Sequence, residues 1–354
     1  MSDERLLIVL PNWFGETLFA TPFLSALRRA RPRAVIAAMG VPRCQDVLAH
    51  NPTLHEFVRY DEEGAHRSLA AKWRLATLLR ARRFDTAVIL RRSLSRALLL
   101  ATAGIPRRIG FNHWKSRWAL TDRVAPPGAS THKAASYLRL LEPLGITQRE
   151  APAYAYYPSD EERHEAAAML REAGVEGRLF IVLHPGANWA HKQWPPAQFA
   201  QLGERFTRAG THAVVLTGSP EDAGLIRAIQ QQMRAQPVVL AGRTSLRQLA
   251  ACLERAGLVV SNDTGVLHIA CALKRPVVAL YGPTSPAITG PLGDPASTVV
   301  IHHPDCCPRI PCLNPRHPGA PGMAAISVEE VYTAAQTLLE GEGSRVKGEG
   351  SRVA

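Results

Sequence analysis

The chain has 354 residues and a formal net charge of +12, with 46% apolar and 20% charged residues. That length calls for two domains, each able to bury its own core, and the composition excludes wholesale disorder. No apolar run approaches the roughly 20 residues of a membrane-spanning helix, and six cysteines in a chain this long do not make a disulfide framework.

The N-terminus carries acids and leads straight into Leu6–Leu10, which reads as a first strand and not as a secretory signal. A cytosolic, reduced protein is expected. In chain order, further strand-like runs are Ala34–Met39 and Thr86–Leu90, with helix-like segments at Pro22–Ala30 and Leu69–Arg82 between them. After a polar, Pro-bearing stretch from Gln148 to Pro158, the runs are Phe180–His184, Ala213–Gly218, Pro237–Gly242, Leu258–Ser261 and Pro276–Gly282. Each is followed by helical spacing or a helix-start signal, the pattern of α/β domains with doubly wound parallel sheets. The expected division is residues 1–155, residues 156–340, and a tail, 341–354. The tail reads Gly-Glu-Gly-Ser-Arg-Val twice and is expected to be disordered.

The charge is unevenly placed. Residues 1–150 hold the whole net +12, and residues 151–354 are neutral. Two readings stand. An Arg-rich proteome explains Arg over Lys but not the asymmetry; an anionic partner of the first half explains the asymmetry.

Three loops at strand ends draw attention, because ligands of open α/β sheets sit beyond the carboxyl ends of the strands. Gly15-Glu16-Thr17 follows the first strand, before a helix expected to begin near Thr21-Pro22. Glu16 there is either a proton acceptor or an acid that complements the helix macrodipole. His184-Pro185-Gly186-Ala187-Asn188 and Lys192-Gln193-Trp194-Pro195 follow the first strand of the second half. Lys192 with a helix N-terminus can receive phosphate, though the loop is no P-loop; a solvated lysine and a core tryptophan are the bland alternative. Ser261-Asn262-Asp263-Thr264-Gly265-Val266-Leu267-His268 runs from strand into helix. Asp263 or Thr264 can cap that helix, Gly265 lets a ligand approach the free N–H groups, and His268 falls one turn beyond Thr264 on the same face. A lone Asp-Thr-Gly inside a strand–helix unit does not fit an aspartic protease.

Together these residues resemble glycosyltransferase family 9, the ADP-heptose–lipopolysaccharide heptosyltransferases, over nearly the whole chain to about Glu340. The other marks are Ser219-Pro220-Glu221 and Gly282-Pro283-Thr284-Ser285-Pro286 with Thr289-Gly290-Pro291. The resemblance implies a GT-B fold, two domains facing each other across a cleft, and inverting, metal-independent transfer of heptose from ADP-heptose to the heptose–Kdo core on lipid A. ADP-sugar is then a substrate, and no cofactor is needed. It implies Lys192 on donor phosphate, Glu221 on the ribose, and Asp263, Thr264, Gly265 and His268 on the diphosphate and sugar, with Asn188 a further donor contact. Glu16 stands where the family's usual base is Asp. Arg91, Arg92 and Arg96, with Arg107, Arg108, Lys115 and Arg117 beyond them, become candidates for contacts to the acceptor or to the anionic inner face of the cytoplasmic membrane, where the enzyme would be peripheral. Two other readings remain: a related transferase using another sugar nucleotide or glycan acceptor, and a noncatalytic nucleic-acid binder. The neutral second half and the lack of a known binding module weigh against nucleic acid. Cys307 and Cys312 with a nearby His could hold zinc, but free thiols are the default and no metal is expected.

Overall fold

The computed structural model describes residues 4–148, 150–175, 177–210, 212–304 and 321–350. It divides into two compact units, Met1–Tyr157 and Pro158–Ala354.

The first unit has strands β1 (Arg5–Val9), β2 (Val35–Gly40), β3 (Glu56–Arg59), β4 (Thr86–Ile89), β5 (Arg107–Phe111) and β6 (Asp122–Val124). All pair in parallel, in the order β3-β2-β1-β4-β5-β6. Its helices are α1 (Phe14–Ala30), α2 (Pro42–Leu48), α3 (Leu69–Ala81), α4 (Leu94–Thr102) and α5 (Lys133–Leu138). Parallel strands covered on both faces need apolar side chains on both, and Leu6 to Val9 are all fully buried. One face carries α3 and α4, through Leu75, Leu79, Ala97 and Leu100 packed on Leu7, Val9 and Ile89. Helices α2 and α5 both pack against α1.

Helix α1 starts at Phe14, a full two turns before the expected start. Pro22 lies inside it and cannot donate to the Leu18 carbonyl. The Thr21 hydroxyl takes over, donating to Leu18 O at 2.7 Å, and also accepts from the Ala155 N–H at 3.0 Å. Gly15 and Glu16 therefore sit in the first turn of a helix and not in a loop.

The second unit repeats the plan. Strands β7 (Phe180–His184), β8 (Ala213–Leu216), β9 (Val238–Val239), β10 (Leu258–Asn262), β11 (Val277–Tyr281) and β12 (Thr298–His302) pair in parallel, in the order β12-β11-β10-β7-β8-β9. Its helices are α6 (Asp160–Glu172), α7 (Pro196–Ala209), α8 (Ala223–Gln230), α9 (Leu246–Leu253), α10 (Gly265–Ala272), α11 (Pro286–Thr289), α12 (Pro321–Ala325) and α13 (Val328–Gly350). Phe199 and Phe206 of α7, Ile226 of α8, and Val331, Ala335 and Leu338 of α13 cover Ile181, Leu183, Val260 and Leu280 in one core. Helix α6 opens on a capping box, Ser159 with Glu162, and packs on α9, where Arg247 pairs with Glu162 at 2.6 Å.

Helix α13 runs on to Gly350, through most of the tail expected to be disordered. Its start is anchored in the core, and extending a formed helix adds a hydrogen bond for each residue fixed. The cysteine segment around Cys307 and Cys312 lies outside the described residues.

Candidate active site

Both sheets are wound outward from their first strand, so each has one point where the order reverses: between β1 and β4, and between β7 and β10. Loops leaving the carboxyl ends there diverge to opposite faces and leave a crevice. The candidate residues fall at these two points.

In the second unit, β7 ends at His184 and β10 at Asn262. Asn262 is fully buried, and its side-chain amide ties down the segment after β7 at two places. Its Oδ1 accepts from the Trp194 N–H at 3.1 Å, and its Nδ2 donates to Pro185 O at 2.8 Å. Trp194 is itself buried, its indole N–H donating to Ile326 O at 2.9 Å. Lys192, two residues before this pin, reaches back so that Nζ lies 2.6 Å from Asp263 Oδ2 and 5.6 Å from the centre of the Trp189 ring. The same carboxylate oxygen accepts from the Thr284 hydroxyl at 2.7 Å, and His268 Nε2 lies 4.0 Å from the other oxygen. Thr264 occupies the N-cap position of α10 without a side-chain cap bond, and its hydroxyl is 3.3 Å from Ser261 Oγ. An ammonium, a hydroxyl and an imidazole thus gather around one carboxylate, just before the side-chain-uncapped start of α10. Such a group suits a doubly charged phosphate ligand.

The neighbouring loops frame this group. His184, buried with Nδ1 3.0 Å from Thr217 Oγ1, is pulled down to about 4 by burial, so its ring is neutral near pH 7. A Cβ at Gly186 would stand 2.5 Å from the Asp222 carboxylate, which would have to move to make room. Glu221 is exposed on the turn after β8, the strand next to β7, and its carboxyl is held below the usual range by a backbone N–H and the Ser219 hydroxyl. Asn188 is exposed in the segment after β7.

In the first unit, Glu16 is in the first turn of α1, just past β1, and forms an ion pair with Lys133 at the start of α5. Tyr137, one turn further along α5, has its hydroxyl pushed above its ordinary range by burial and by the charge of Glu16. Arg91 and Arg92 are exposed just past β4, on the other side of the same reversal point.

Arg96 is different. It is 1% exposed, and its guanidinium donates to Leu10 O and to Asn12 Oδ1, fixing the segment between β1 and α1. Its Nε stands 4.0 Å from Glu62, whose carboxylate also accepts from Tyr60 and Ser95. A residue expected to meet a ligand is instead an internal strut. Arg107 and Arg108 are likewise committed. Arg107 pairs with Asp122 on the adjacent strand at 2.8 Å, and Arg108 donates to Ala119 O at 2.7 Å.

A sequence model of the family described as glycosyltransferase family 9 (heptosyltransferase) matches residues 72–315. The chain belongs to glycosyltransferase family 9. Lipopolysaccharide heptosyltransferase 2 of Salmonella typhimurium is 30% identical over 305 residues, 83% of this chain and 87% of its own; the Escherichia coli protein of the same name matches equally. Among solved structures, a family 9 glycosyltransferase from Veillonella parvula has a TM-score of 0.87 at 27% identity, covering 96% of this chain and 98% of that one. The E. coli ADP-heptose LPS heptosyltransferase II has a TM-score of 0.81 at 25% identity, covering 96% and 99%. The two doubly wound units are those of the GT-B type.

Within this family 9 chain, sequence reasoning passed over Lys133, Thr284 and Asn262. Thr284 and Asn262 lie inside the quoted motifs, and the signal was an amide and a hydroxyl at the carboxyl ends of adjacent strands. Lys133 had no local signal: its partner is 117 positions away. Among the described residues, no group of three His, Cys, Asp or Glu is gathered in a way that could hold a metal ion.

Proposed function

We propose that this glycosyltransferase moves heptose from ADP-heptose to the heptosyl-Kdo inner core of lipid A, in a single inverting displacement that needs no metal ion. The observation that carries the reading is the gathering of Lys192, Thr284 and His268 around Asp263 at the opening of α10. The diphosphate of the donor takes the place facing the α10 amides, with Lys192 against its charge and Gly265 allowing close approach. Asn188 and Glu221, on loops at the ends of neighbouring strands, meet the rest of the donor.

In the reaction, an acceptor hydroxyl oxygen bonds to the anomeric carbon as the carbon–oxygen bond to the β-phosphate breaks. The hydroxyl proton goes to Glu16, and the electron pair leaves with ADP. The charge growing on the departing phosphate falls on Lys192 and the helix amides, where fixed donors count most. Glu16 is one methylene longer than the family's usual Asp; its ion pair with Lys133 fixes where that carboxylate is held. Arg91 and Arg92 serve the anionic acceptor.

No helix among the described residues is long and apolar enough to cross a membrane. We infer a cytoplasmic enzyme working at the inner face of the membrane, where the acceptor's lipid is held.

The test is ADP release with delipidated heptosyl-Kdo acceptor and a panel of sugar nucleotides, in EDTA. Turnover confined to ADP-heptose, and abolished in Lys192→Ala, is expected. Equal turnover with other donors, or none without added metal, would overturn the assignment.

A further inference from the structure

The outer side of α3 and α4 has a composition that heptose transfer does not require. From Gly64 to Thr121 the chain holds 13 Lys and Arg and a single acid, Asp85, whose carboxylate accepts from the Arg5 N–H at 2.7 Å. Arg96 is buried and Arg82 and Arg107 are paired with Glu56 and Asp122; Arg74, Arg91, Arg92, Lys115 and Arg117 are among those that remain exposed. Leu75, Ala97, Leu100 and Ala119 share one apolar cluster, so α3, α4 and the turn at Arg117–Ala119 lie over the same face of the first sheet. Their outward sides therefore belong to one surface.

That surface is also apolar. Trp114 is 72% exposed, Trp73 62% and Trp118 61%; Leu69, one helical turn before Trp73, is 84% exposed. Among the described residues of the first unit, all the exposed large apolar side chains but Trp13 lie in this segment. Large rings gathered at a surface mark a contact. Exposed Arg74, Arg91, Arg92, Lys115 and Arg117 are interleaved with them, with Lys115 Nζ 4.9 Å from the centre of the Trp114 ring. The Trp118 N–H already donates to Lys115 O at 2.9 Å, so its ring can leave water without stranding a donor.

We propose that this face docks on an anionic lipid bilayer, with Trp73, Trp114 and Trp118 at headgroup depth and the cations against lipid phosphates. The proposal rests on the membrane-surface reading above and names the surface that makes the contact. Indole rings favour the interface, and basic residues near it add electrostatic attraction. A second copy of the chain does not fit, because self-contact would set one unbroken basic field against its twin. Nucleic acid accounts for the cations but leaves the aliphatic Leu69 unexplained.

The experiment uses the full chain with vesicles of phosphatidylethanolamine and phosphatidylglycerol, some with brominated acyl chains. Three variants are compared with the parent: Trp73→Ala/Trp114→Ala/Trp118→Ala, Arg74→Glu/Lys115→Glu, and Trp189→Ala in the other unit. Expected are binding to anionic vesicles that weakens with salt, quenching of tryptophan emission by bromine, and loss of at least about tenfold in partitioning for the first two variants. Trp189→Ala should partition like the parent. Unchanged partitioning or quenching in the triple variant would overturn the proposal. So would tighter binding to random duplex DNA than to vesicles, or a concentration-dependent dimer lost in the triple variant. ADP release with the delipidated acceptor is read in parallel. If it persists while vesicle binding fails, the docking face is wrong and the activity stands; if it is absent while vesicle binding persists, the reverse holds.

Discussion

Replacing Asn262 by Ala tests the link between the sheet and Lys192, the lysine proposed to meet the donor phosphate. The buried amide satisfies two backbone groups, the Trp194 N–H and the Pro185 carbonyl. Alanine leaves both unpaired in a site closed to water, at about 1–3 kcal/mol each, or about 4 kcal/mol together. For a unit of this size that lowers the melting temperature by about 10 °C. The segment from Pro185 to Trp194 also loses the ties at both its ends, and Lys192 lies between them. A charge-assisted hydrogen bond of about 2 kcal/mol is then only partly recovered on binding, so ADP affinity should fall at least about tenfold. Asn262→Asp separates the contributions: it keeps an acceptor for Trp194 but turns an oxygen toward the Pro185 carbonyl, so it should not restore the parent's stability. Circular-dichroism melts and calorimetric ADP titration read both effects. A variant that melts and binds ADP like the parent would refute the reasoning.

Glu16→Gln should lower kcat by at least about a hundredfold while ADP affinity survives, because it removes the proposed proton acceptor from the first unit and leaves the second untouched; near-normal turnover would remove Glu16 from the chemistry. Arg96→Ala should cost about 3 kcal/mol in urea unfolding, since it strips Leu10 O and Asn12 of their partner. Arg91→Ala and Arg92→Ala, both exposed, should leave the urea midpoint where it is and weaken the acceptor's apparent KM. His184 makes stability depend on pH. Its folded-state value lies near 4 against an ordinary 6.5, so between these the unfolded chain takes up a proton that the folded chain refuses. Stability should thus fall as pH drops from about 6.5 to about 4, by about 3 kcal/mol in all, and His184→Gln should flatten that slope. Parallel urea-midpoint curves for variant and parent would count against this.

The central strands were legible because parallel strands buried on both faces have to be unbroken apolar runs, as in Phe180–Leu183 or Leu258–Val260. The edge strands β3, β6 and β12, and β5 beside one of them, escaped notice for the converse reason, whereas the edge strand β9 is marked by the run Pro237–Gly242. Strands β3 and β12 are half-buried, β6 has three residues, and β5 opens on an arginine pair whose charge is met by partners outside the strand. Pro22 misled the reading of α1, since proline commonly opens a helix; the Thr21 hydroxyl that rescues it at mid-helix is visible only in three dimensions. Arg96 looked like its neighbours Arg91 and Arg92. Its spacing to Leu100 and Ala103, four and seven residues on, was the available sign that it points inward. Asp263, Thr264, Gly265 and His268 were read as one group because they occupy a single strand-to-helix unit. Lys133 was not, because only folding brings it to Glu16.

The strand permutation is the same in both units, and each unit has a core of its own. A mutation in a connector above one sheet thus leaves the packing of the other core in place. On the proposed division of roles, lineages can drift in the sugar chain they extend while the nucleotide grip is inherited unaltered, or trade the nucleotide while the glycan side stays fixed. Chimeras joined at Tyr157–Pro158 are the natural way to ask how independently those two inheritances assort.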